Sequence, residues 1–278
     1  MFSSTFSRAD FCPATGEKFH QFQIQKILGC GYFGKCFTVT KEDEPDKKMV
    51  LKVSDSFPNK QYFETELEVL RSLPVTHHFP NFICTFTIED RLDCIVMTYQ
   101  GICLKTMLEQ NENKKFTLEN TLRIGMQLME CVELLHACGW FHRDIHIENV
   151  TVNTDSGGNL KLALIDFGIS ISTNTPIDDR CLCKYPLIED YVSVVEVLKL
   201  CSIIQEAETG AKPDWLPSKE KLPWNYKWLR DLYDVIERQK GGDYNKEVVK
   251  RFIRNVRPSL DTESDITFTE KNGEKIIE

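Results

Sequence analysis

The segment from residue 142 to residue 168 constrains this chain more than any other part of its sequence. It reads H-R-D-I-H-I-E-N-V, then a polar, glycine-containing stretch, and then L-A-L-I-D-F-G. Asp144 and Asn149 lie five residues apart, and Asp166 follows Asp144 by 22 residues. Two short apolar runs separated by polar residues and glycine predict a hairpin. We therefore expect one loop that carries Asp144 and Asn149 and, beyond the hairpin, a second loop that carries Asp166.

Two carboxylates and one amide at this spacing suit the transfer of a phosphoryl group. In that chemistry one carboxylate accepts the proton of the acceptor hydroxyl, while a second carboxylate and an amide oxygen hold Mg²⁺ against the nucleotide phosphates. The order H-R-D-x4-N and then D-F-G resembles the catalytic and metal-binding loops of protein kinases. A D-F-G alone arises easily by chance, whereas both motifs in this order and at this spacing do not. The pattern therefore favours a functional interpretation over a purely structural one.

The composition fits one large globular unit or two lobes that share a core. Of the 278 residues, 41% are hydrophobic and 27% are charged, and the net charge is −8. An acidic chain is a poor match for a nucleic-acid backbone, because counterion release requires clustered Lys and Arg. There is no apolar run of 18 residues and no apolar region near the N-terminus. We therefore expect neither a membrane span nor a secretory signal.

The cysteines do not follow a ligand or disulfide pattern. There are 11 of them, an odd number, and no C-x-x-C pair occurs. Disulfide frameworks are typical of short secreted chains, and zinc sites require paired ligand spacing. The single C-x-C pair is at Cys181 and Cys183, and a lone pair with this spacing is usually not a metal site. We interpret the cysteines as reduced thiols in a cytoplasmic or nuclear protein, most of them acting as small hydrophobic side chains.

A glycine-rich bend joins two predicted strands near the start of the fold. The strands are F-Q-I-Q-K-I-L, from residue 22, and C-F-T-V-T, from residue 36. Gly29, Gly31 and Gly34 lie between them as G-x-G-x-x-G, where glycine lets the backbone approach phosphates and adopt a positive φ. A dinucleotide-binding fold would place a helix after this motif, whereas a strand follows here. The motif therefore favours a kinase-type phosphate loop.

Lys52 lies within a third apolar strand, M-V-L-K-V-S, where a lysine is costly to bury without a partner. The next segment, residues 61–73, has apolar residues at helical spacing and predicts a helix. Glu64, Glu66 and Glu68 lie on that helix and could alternatively form a solvated face. By the kinase resemblance, Glu66 is the predicted partner of Lys52.

Further elements follow the same patterns. We predict strands at residues 82–88 and 94–98, a hinge at residues 97–101, and helices at residues 104–110, 118–138, 191–204, 224–237 and 246–256. The predicted organisation is a lead-in at residues 1–19, a small lobe at residues 20–97, a hinge and larger lobe at residues 98–258, and a loose tail at residues 259–278.

Residues 116–145 closely resemble the casein kinase 1 superfamily, through F-T-L-E-N-T-L-R-I-G-M-Q-L-M-E-C-V-E-L-L-H-A-C-G-W-F-H-R-D-I. The tau-tubulin kinase branch is the most similar, also through M-T-Y-Q-G at residues 97–101. The resemblance covers residues 22–170, just over half of the chain. It implies an α+β bilobal protein kinase fold, with a small antiparallel sheet and one helix in the first lobe and a larger, mostly α-helical second lobe. It also implies a monomeric enzyme that transfers the γ-phosphoryl group of ATP to a serine or threonine hydroxyl of a protein.

The resemblance also assigns roles to individual residues. Lys52 would hold the α- and β-phosphates and be oriented by Glu66, while Asp144 would be the base and Asn149 and Asp166 the Mg²⁺ ligands. The implied nucleotide-binding residues are Gly29, Gly31, Gly34, Cys36, Val50, Lys52, Glu66, Met97 and Tyr99.

Several departures leave a second interpretation open, a pseudokinase that binds nucleotide or serves as a scaffold. Val50 replaces the usual alanine under the adenine and narrows its pocket, while Cys36 replaces a valine and returns some volume. His146 replaces a lysine that normally contacts the transferred phosphate.

The segment after Gly168 is also short for this superfamily. Only 21 residues separate Gly168 from Asp190, which we expect to head a helix and brace the catalytic-loop backbone. Little chain remains for a peptide-docking platform, and Y-P-L-I-E at residues 185–189 is a possible A-P-E remnant. The atypical kinase haspin has a similar H-R-D-[IL]-H-x-x-N-V and a shortened segment, which makes it a secondary resemblance.

Overall fold

The computed structural model describes residues 11–31, 34–56, 60–176, 185–203, 222 and 224–278. The chain divides into two compact units. The first comprises residues 1–100 and 166–170, and the second comprises residues 101–165 and 171–278. The D-F-G sequence therefore belongs to the first unit, although it lies far along the chain from the rest of that unit.

The first unit is built on a six-stranded antiparallel sheet with the strand order β1-β2-β3-β4-β6-β5. One helix, α1 (Lys60–Ser72), joins the fourth and fifth strands. The α1 bounds agree with the predicted helix to within one residue at each end. The strands are β1 (Lys18–Phe19), β2 (Phe22–Cys30), β3 (Lys35–Lys41), β4 (Met49–Asp55), β5 (Phe82–Ile88) and β6 (Leu92–Thr98).

The sheet of the first unit has two different faces, because successive side chains of a strand point to opposite sides. Phe37 and Leu51 lie in a buried hydrophobic cluster on one side. Cys36 and Lys52, their neighbours in sequence, are paired across β3 and β4 and therefore point to the other side. The buried lysine thus lies opposite the main apolar cluster.

The second unit is mostly helical. Its helices are α2 (Leu104–Gln110), α3 (Leu118–Ala137), α4 (Pro186–Ser202), α5 (Lys227–Glu237) and α6 (Lys246–Val256), with a 3-10 turn at Trp224–Tyr226. Its short strands are β7 (Ile102–Cys103), β8 (Trp140–Phe141), β9 (Val150–Thr154), β10 (Leu160–Leu164), β11 (Ile171–Ser172), β12 (Phe268–Lys271) and β13 (Glu274–Ile277). The pairing of β9 with β10 is the hairpin predicted between Asn149 and Asp166.

Helix α3 has clear start and stop signals. The Thr117 side chain accepts a hydrogen bond from the backbone N–H of Asn120 and caps the first turn. Gly139 follows the last turn with φ 89°, a conformation that glycine adopts without strain. Eleven residues of α3 are buried, in agreement with the apolar stripe read from the sequence. The helix therefore forms the centre of the second unit and leads directly towards the loop that carries Asp144 and Asn149.

Helix α4 differs from the prediction at its start. The sequence pattern placed the helix after Asp190, whereas α4 begins at Pro186. Proline suits the first turn of a helix because its missing N–H would have no partner there. Asp190 consequently lies in the second turn of α4 and is not its first residue. Cys181 and Cys183 lie outside the described residues.

The C-terminal segment also differs from the loose tail expected at residues 259–278. β12 and β13 form an antiparallel hairpin, and Ile277 is fully buried. Asn111 Nδ2 donates to the carbonyl oxygen of Ile277 over 2.8 Å, and the backbone N–H of Thr117 donates to that of Glu278 over 3.0 Å. Distant parts of the chain provide these contacts, so no local period in the sequence could have indicated them. Among the described residues, no helix has the length and apolar character needed to cross a membrane.

Candidate active site

Lys52 forms two ion pairs in the first unit. Its Nζ lies 2.6 Å from Glu66 Oε2 and 2.7 Å from Asp166 Oδ1. Glu66 is buried, whereas Glu64 and Glu68 are exposed. The predicted Lys52–Glu66 pair is therefore present, and α1 has selected Glu66 from the three candidates.

The charges of Lys52, Glu66 and Asp166 depend on one another. Burial alone would lower the pKa of the Lys52 ammonium, but the negative charges of Asp166 and Glu66 together raise that pKa above its usual value. Burial raises the pKa of the Glu66 carboxyl, and the positive charge of Lys52 opposes this change. An ammonium group held in its charged form suits the binding of phosphate oxygens.

Asp166 has an unusual backbone conformation. Its φ is 66°, in the left-handed region that costs energy for residues other than glycine. Two neighbours hold it there. Lys52 binds its carboxylate, and Phe167 is fully buried, with its ring 6.0 Å from the ring of Phe79 at an interplanar angle of 71°. Strain of this kind is found where the surrounding fold fixes a functional side chain.

In the G-x-G-x-x-G bend, Gly34 matters through close contact with its neighbours rather than through a positive φ. Gly29, Gly31 and Gly34 are absent from the positive-φ glycines of the described residues, so that part of the prediction was wrong. A Cβ on Gly34 would lie 3.0 Å from the carbonyl oxygen of Val53 and 3.1 Å from Cγ of Lys52. A Cβ on Gly29 would meet no atom within 4 Å. Gly34 is therefore the glycine whose lack of a side chain leaves room for Lys52.

The other predicted nucleotide residues lie on the strands around Lys52 or just after them. Val50 is half-buried and is paired with Met97 across β4 and β6. Cys36 is paired with Lys52, and burial raises the pKa of its thiol to about 12. Tyr99 follows the end of β6, and burial raises the pKa of its hydroxyl.

Asp144 and Asn149 form a second cluster, in the loop between β8 and β9. Asn149 Nδ2 donates to the carbonyl oxygen of Asp144 over 3.0 Å and to its Oδ2 over 3.2 Å. Because the amide nitrogen makes these bonds, the amide oxygen points elsewhere, as a metal ligand requires. His146 Nε2 lies 3.7 Å from Asp144 Oδ2, which exceeds the distance of a direct hydrogen bond.

Asp190 holds the backbone of this loop. Its side chain is fully buried, and its two oxygens accept hydrogen bonds from the backbone N–H groups of His142 and Arg143, both over 2.8 Å. His136 Nε2 lies 2.9 Å from Asp190 Oδ2. Arg143 has φ 68°, so the carboxylate stabilises a strained turn next to Asp144. The bracing role predicted for Asp190 is confirmed, whereas the sequence interpretation did not identify His136.

The sequence also matches a known protein family. Residues 22–207 match the family model described as protein kinase domain. The chain belongs to the protein kinase domain family. The predicted fold class, a bilobal mixed α+β kinase fold, is therefore confirmed.

Three relatives illustrate the match within the family. The "Probable serine/threonine-protein kinase" of Dictyostelium discoideum is 27% identical over 150 residues, 54% of this chain and 30% of that protein. The "Probable myosin light chain kinase" of the same organism is 29% identical over 196 residues, 70% of this chain and 59% of that protein. The "Probable casein kinase I homolog" of Encephalitozoon cuniculi is 28% identical over 151 residues, 54% of this chain and 45% of that protein. The chain therefore spans less than two thirds of each relative.

A protein kinase domain implies ATP and a divalent metal ion, and the side chains present fit both. Mg²⁺ prefers oxygen ligands, and sites of this kind combine one or two protein oxygens with phosphate oxygens and water. The Asp166 side chain is 29% exposed, and the amide oxygen of Asn149 is not the atom that bonds Asp144. Among the described residues, no group of three His, Cys, Asp or Glu is suited to a metal ion. The charged Lys52 ammonium suits the binding of phosphate oxygens.

Proposed function

We propose that this chain is an ATP- and Mg²⁺-dependent protein serine/threonine kinase. The observation that carries the proposal is the buried Lys52, paired at once with Glu66 and Asp166. A buried ion pair adds little stability over apolar residues of the same volume, so the presence of Lys52 here favours a role in binding phosphates. The name of one relative, a probable serine/threonine-protein kinase, supports serine or threonine as the acceptor.

Each polar residue of the proposed site has a separate task. Lys52 binds the α- and β-phosphates, and Glu66 fixes its ammonium in position. Asn149 and Asp166 hold Mg²⁺, which neutralises the charge that develops on the phosphates. Asp144 accepts the proton of the substrate hydroxyl, and its carboxylate is oriented by Asn149 Nδ2.

We place the chain within the casein kinase 1 superfamily, nearest the tau-tubulin kinase branch. Residues 116–145 and the M-T-Y-Q-G at residues 97–101 support this placement. The similarity to a probable casein kinase I homolog also supports it. The catalytic-loop sequence H-R-D-I-H retains a weaker similarity to haspin. A cytoplasmic or nuclear location is part of the proposal, since the cysteines in the described ranges form no disulfides.

A pseudokinase is the second candidate, and two observations favour it. Val50 adds two methyl groups where the superfamily usually has alanine, and its half-buried side chain lies on the same face as Lys52. His146 replaces a lysine and makes no direct hydrogen bond to Asp144. A pseudokinase would bind a partner through the same fold without transferring phosphate.

Phosphoryl transfer to casein and to myelin basic protein, measured with γ-labelled ATP, separates the two candidates. We expect labelling by the wild-type protein and a loss of roughly two to four orders of magnitude in Asp144→Asn, because the base is removed. Asp243 is exposed, so Asp243→Asn is a control for the loss of one surface charge. Equal labelling by wild type and Asp144→Asn would exclude the proposed role of Asp144. No labelling of any protein by wild type, itself included, would favour the pseudokinase.

A further inference from the structure

The segment that ends in β1 is attached along the edge of β2. We refer to residues 11–19 as the N-terminal clamp. The backbone N–H of Gly16 donates to the carbonyl oxygen of Ile24 over 2.8 Å, and that of Ile24 donates to Glu17 over 2.9 Å. Thr15 Oγ1 donates to the carbonyl oxygen of Gln25 over 3.1 Å. These bonds extend the pairing of β1 with β2 and hold the clamp against the hairpin that carries the glycine-rich bend.

The clamp also enters the hydrophobic core. Phe11 is only 3% exposed and belongs to the buried cluster of the first unit. Its ring lies 5.1 Å from that of Phe19 and 5.7 Å from that of Phe37, the latter in an edge-to-face arrangement. Aromatic pairs at these distances add to the energy of burial. The ring of Phe11 therefore anchors the start of the clamp in the core of the first unit.

Lys35 binds that carbonyl group. Lys35 is the first residue of β3 and follows Gly34 directly, yet only 8% of it is exposed. Its Nζ donates to the carbonyl oxygen of Phe11 over 3.1 Å and lies 3.6 Å from Cys12 Sγ. A lysine at the end of a surface hairpin is usually solvated, and burying its ammonium is costly without partners. The clamp thus supplies an acceptor to the residue that closes the glycine-rich bend.

Gly34 links Lys35 to Lys52, the lysine proposed to bind phosphate. Gly34, the neighbour of Lys35, lies so close to Lys52 that a Cβ would approach its side chain to 3.1 Å. The backbone N–H of Gly31 donates to the carbonyl oxygen of Gly34 over 2.9 Å and closes the bend. A shift of Lys35 would therefore move Gly34, the closing hydrogen bond and the space around Lys52 together.

We propose that the N-terminal clamp positions the glycine-rich bend for nucleotide, with Lys35 as the positioning residue. This rests on the proposed kinase function, in which the bend covers phosphate groups. Without the clamp, the bend would occupy more conformations, and ATP would have to order it on binding. The clamp therefore acts on the affinity for ATP rather than on the proton transfer at Asp144.

The decisive variant is Lys35→Met, which keeps the apolar stem of the side chain and removes the ammonium. We expect an increase in KM for ATP on the order of tenfold, because ATP would then have to order the bend on binding. We expect kcat to change by less than about twofold, because Lys35 touches none of the reacting atoms. Lys26 is exposed on β2, so Lys26→Met is the matched control and should leave both constants unchanged. Lys35→Arg retains a donor and should recover most of the affinity for ATP.

Hydrogen exchange without nucleotide tests the clamp independently of activity. In Lys35→Met we expect the amide of Gly31 to exchange on the order of tenfold faster, while amides of β6 exchange as in wild type. Wild-type protein that turns over no ATP would contradict the proposed function, and the exchange rates would still decide the role of the clamp. Unchanged exchange at Gly31 would overturn the proposal. Faster exchange of the whole sheet would also overturn it, because Lys35 would then serve only overall stability.

Discussion

Glu66 Oε2 lies 2.6 Å from Lys52 Nζ, and about 95% of both side chains is buried. Such a pair gains Coulomb energy but loses the hydration of both charges, so it adds little stability over an apolar pair of the same volume. Removal of one partner is different, because it leaves the other charge buried alone. Asp166 increases the cost of removing Lys52, since it is a second carboxylate paired with the same ammonium.

Lys52→Met should destabilise the fold at neutral pH by about 3 kcal/mol, because Glu66 is left without its counter-ion. Lys52→Met/Glu66→Gln should regain much of this loss, since the amide carries no charge. Chemical unfolding followed by circular dichroism measures both effects. Equal stability of the two variants would show that the buried charge is not the cause. Both variants should lack transferase activity.

The loss of folding stability caused by Lys52→Met should depend on pH. Burial and the negative charge of Asp166 raise the pKa of Glu66 above its ordinary value of 4.5. The folded state therefore binds a proton more readily than the unfolded state, and stability falls as pH rises above 4.5. We expect Lys52→Met to be relatively more stable at about pH 5 than at about pH 7.5. Lys52→Met/Glu66→Gln should show a weaker dependence, and an identical dependence would contradict the assignment to Glu66.

Gly34→Ala and Gly29→Ala should differ strongly. The Cβ of an alanine at position 34 would meet the Val53 carbonyl oxygen at 3.0 Å and push against the Lys52 stem. At position 29 the same Cβ meets no atom within 4 Å. We expect Gly34→Ala to lower kcat/KM for ATP by at least about tenfold, as for a displaced phosphate-binding group, and Gly29→Ala to change it by less than about threefold. Steady-state kinetics at varied ATP provides the comparison, and equal effects would contradict the role given to Gly34.

Asp190→Asn should impair both folding and catalysis. Its amide nitrogen would face the backbone N–H of His142 or Arg143, so one donor would lose its acceptor inside the protein. We expect a loss of about 1–3 kcal/mol in the free energy of unfolding, with a lower kcat because Asp144 follows Arg143 directly. Glu189 is exposed in the same helix, so Glu189→Gln serves as a control that should leave both quantities near wild type. Normal kcat in Asp190→Asn would show that the loop holds its shape without this carboxylate.

The sequence predicted the parts of this fold whose causes are local. The boundaries of α2 and α6 agree with the helical periodicity, and the turn residues between β9 and β10 predicted that hairpin. The Lys52–Glu66 pair was also predictable, because a lysine inside an apolar strand requires a partner and the following helix offers carboxylates.

Other features depend on contacts between residues far apart in the chain. His136 meets Asp190 across 54 positions, and only the folded arrangement of α3 and α4 reveals this contact. The buried Lys35 looked like an ordinary charged residue after the glycine-rich bend, since Phe11 lies 24 positions earlier. The start of α4 was misplaced because Asp190 resembles a helix-capping residue, whereas Pro186 starts the helix one turn earlier.

The central claim is a working site for ATP and Mg²⁺, and a thermal-shift titration tests it most directly. Ligand that binds only the folded state raises its apparent stability, by about 2.7 kcal/mol at a hundredfold excess over Kd. We expect ATP with Mg²⁺ to raise the Tm of the wild-type protein, ATP with EDTA to raise it less, and Asp166→Asn to lose the Mg²⁺-dependent part. The absence of any shift at millimolar ATP would contradict the account, because it would mean that the residues around Val50 and Lys52 admit no nucleotide.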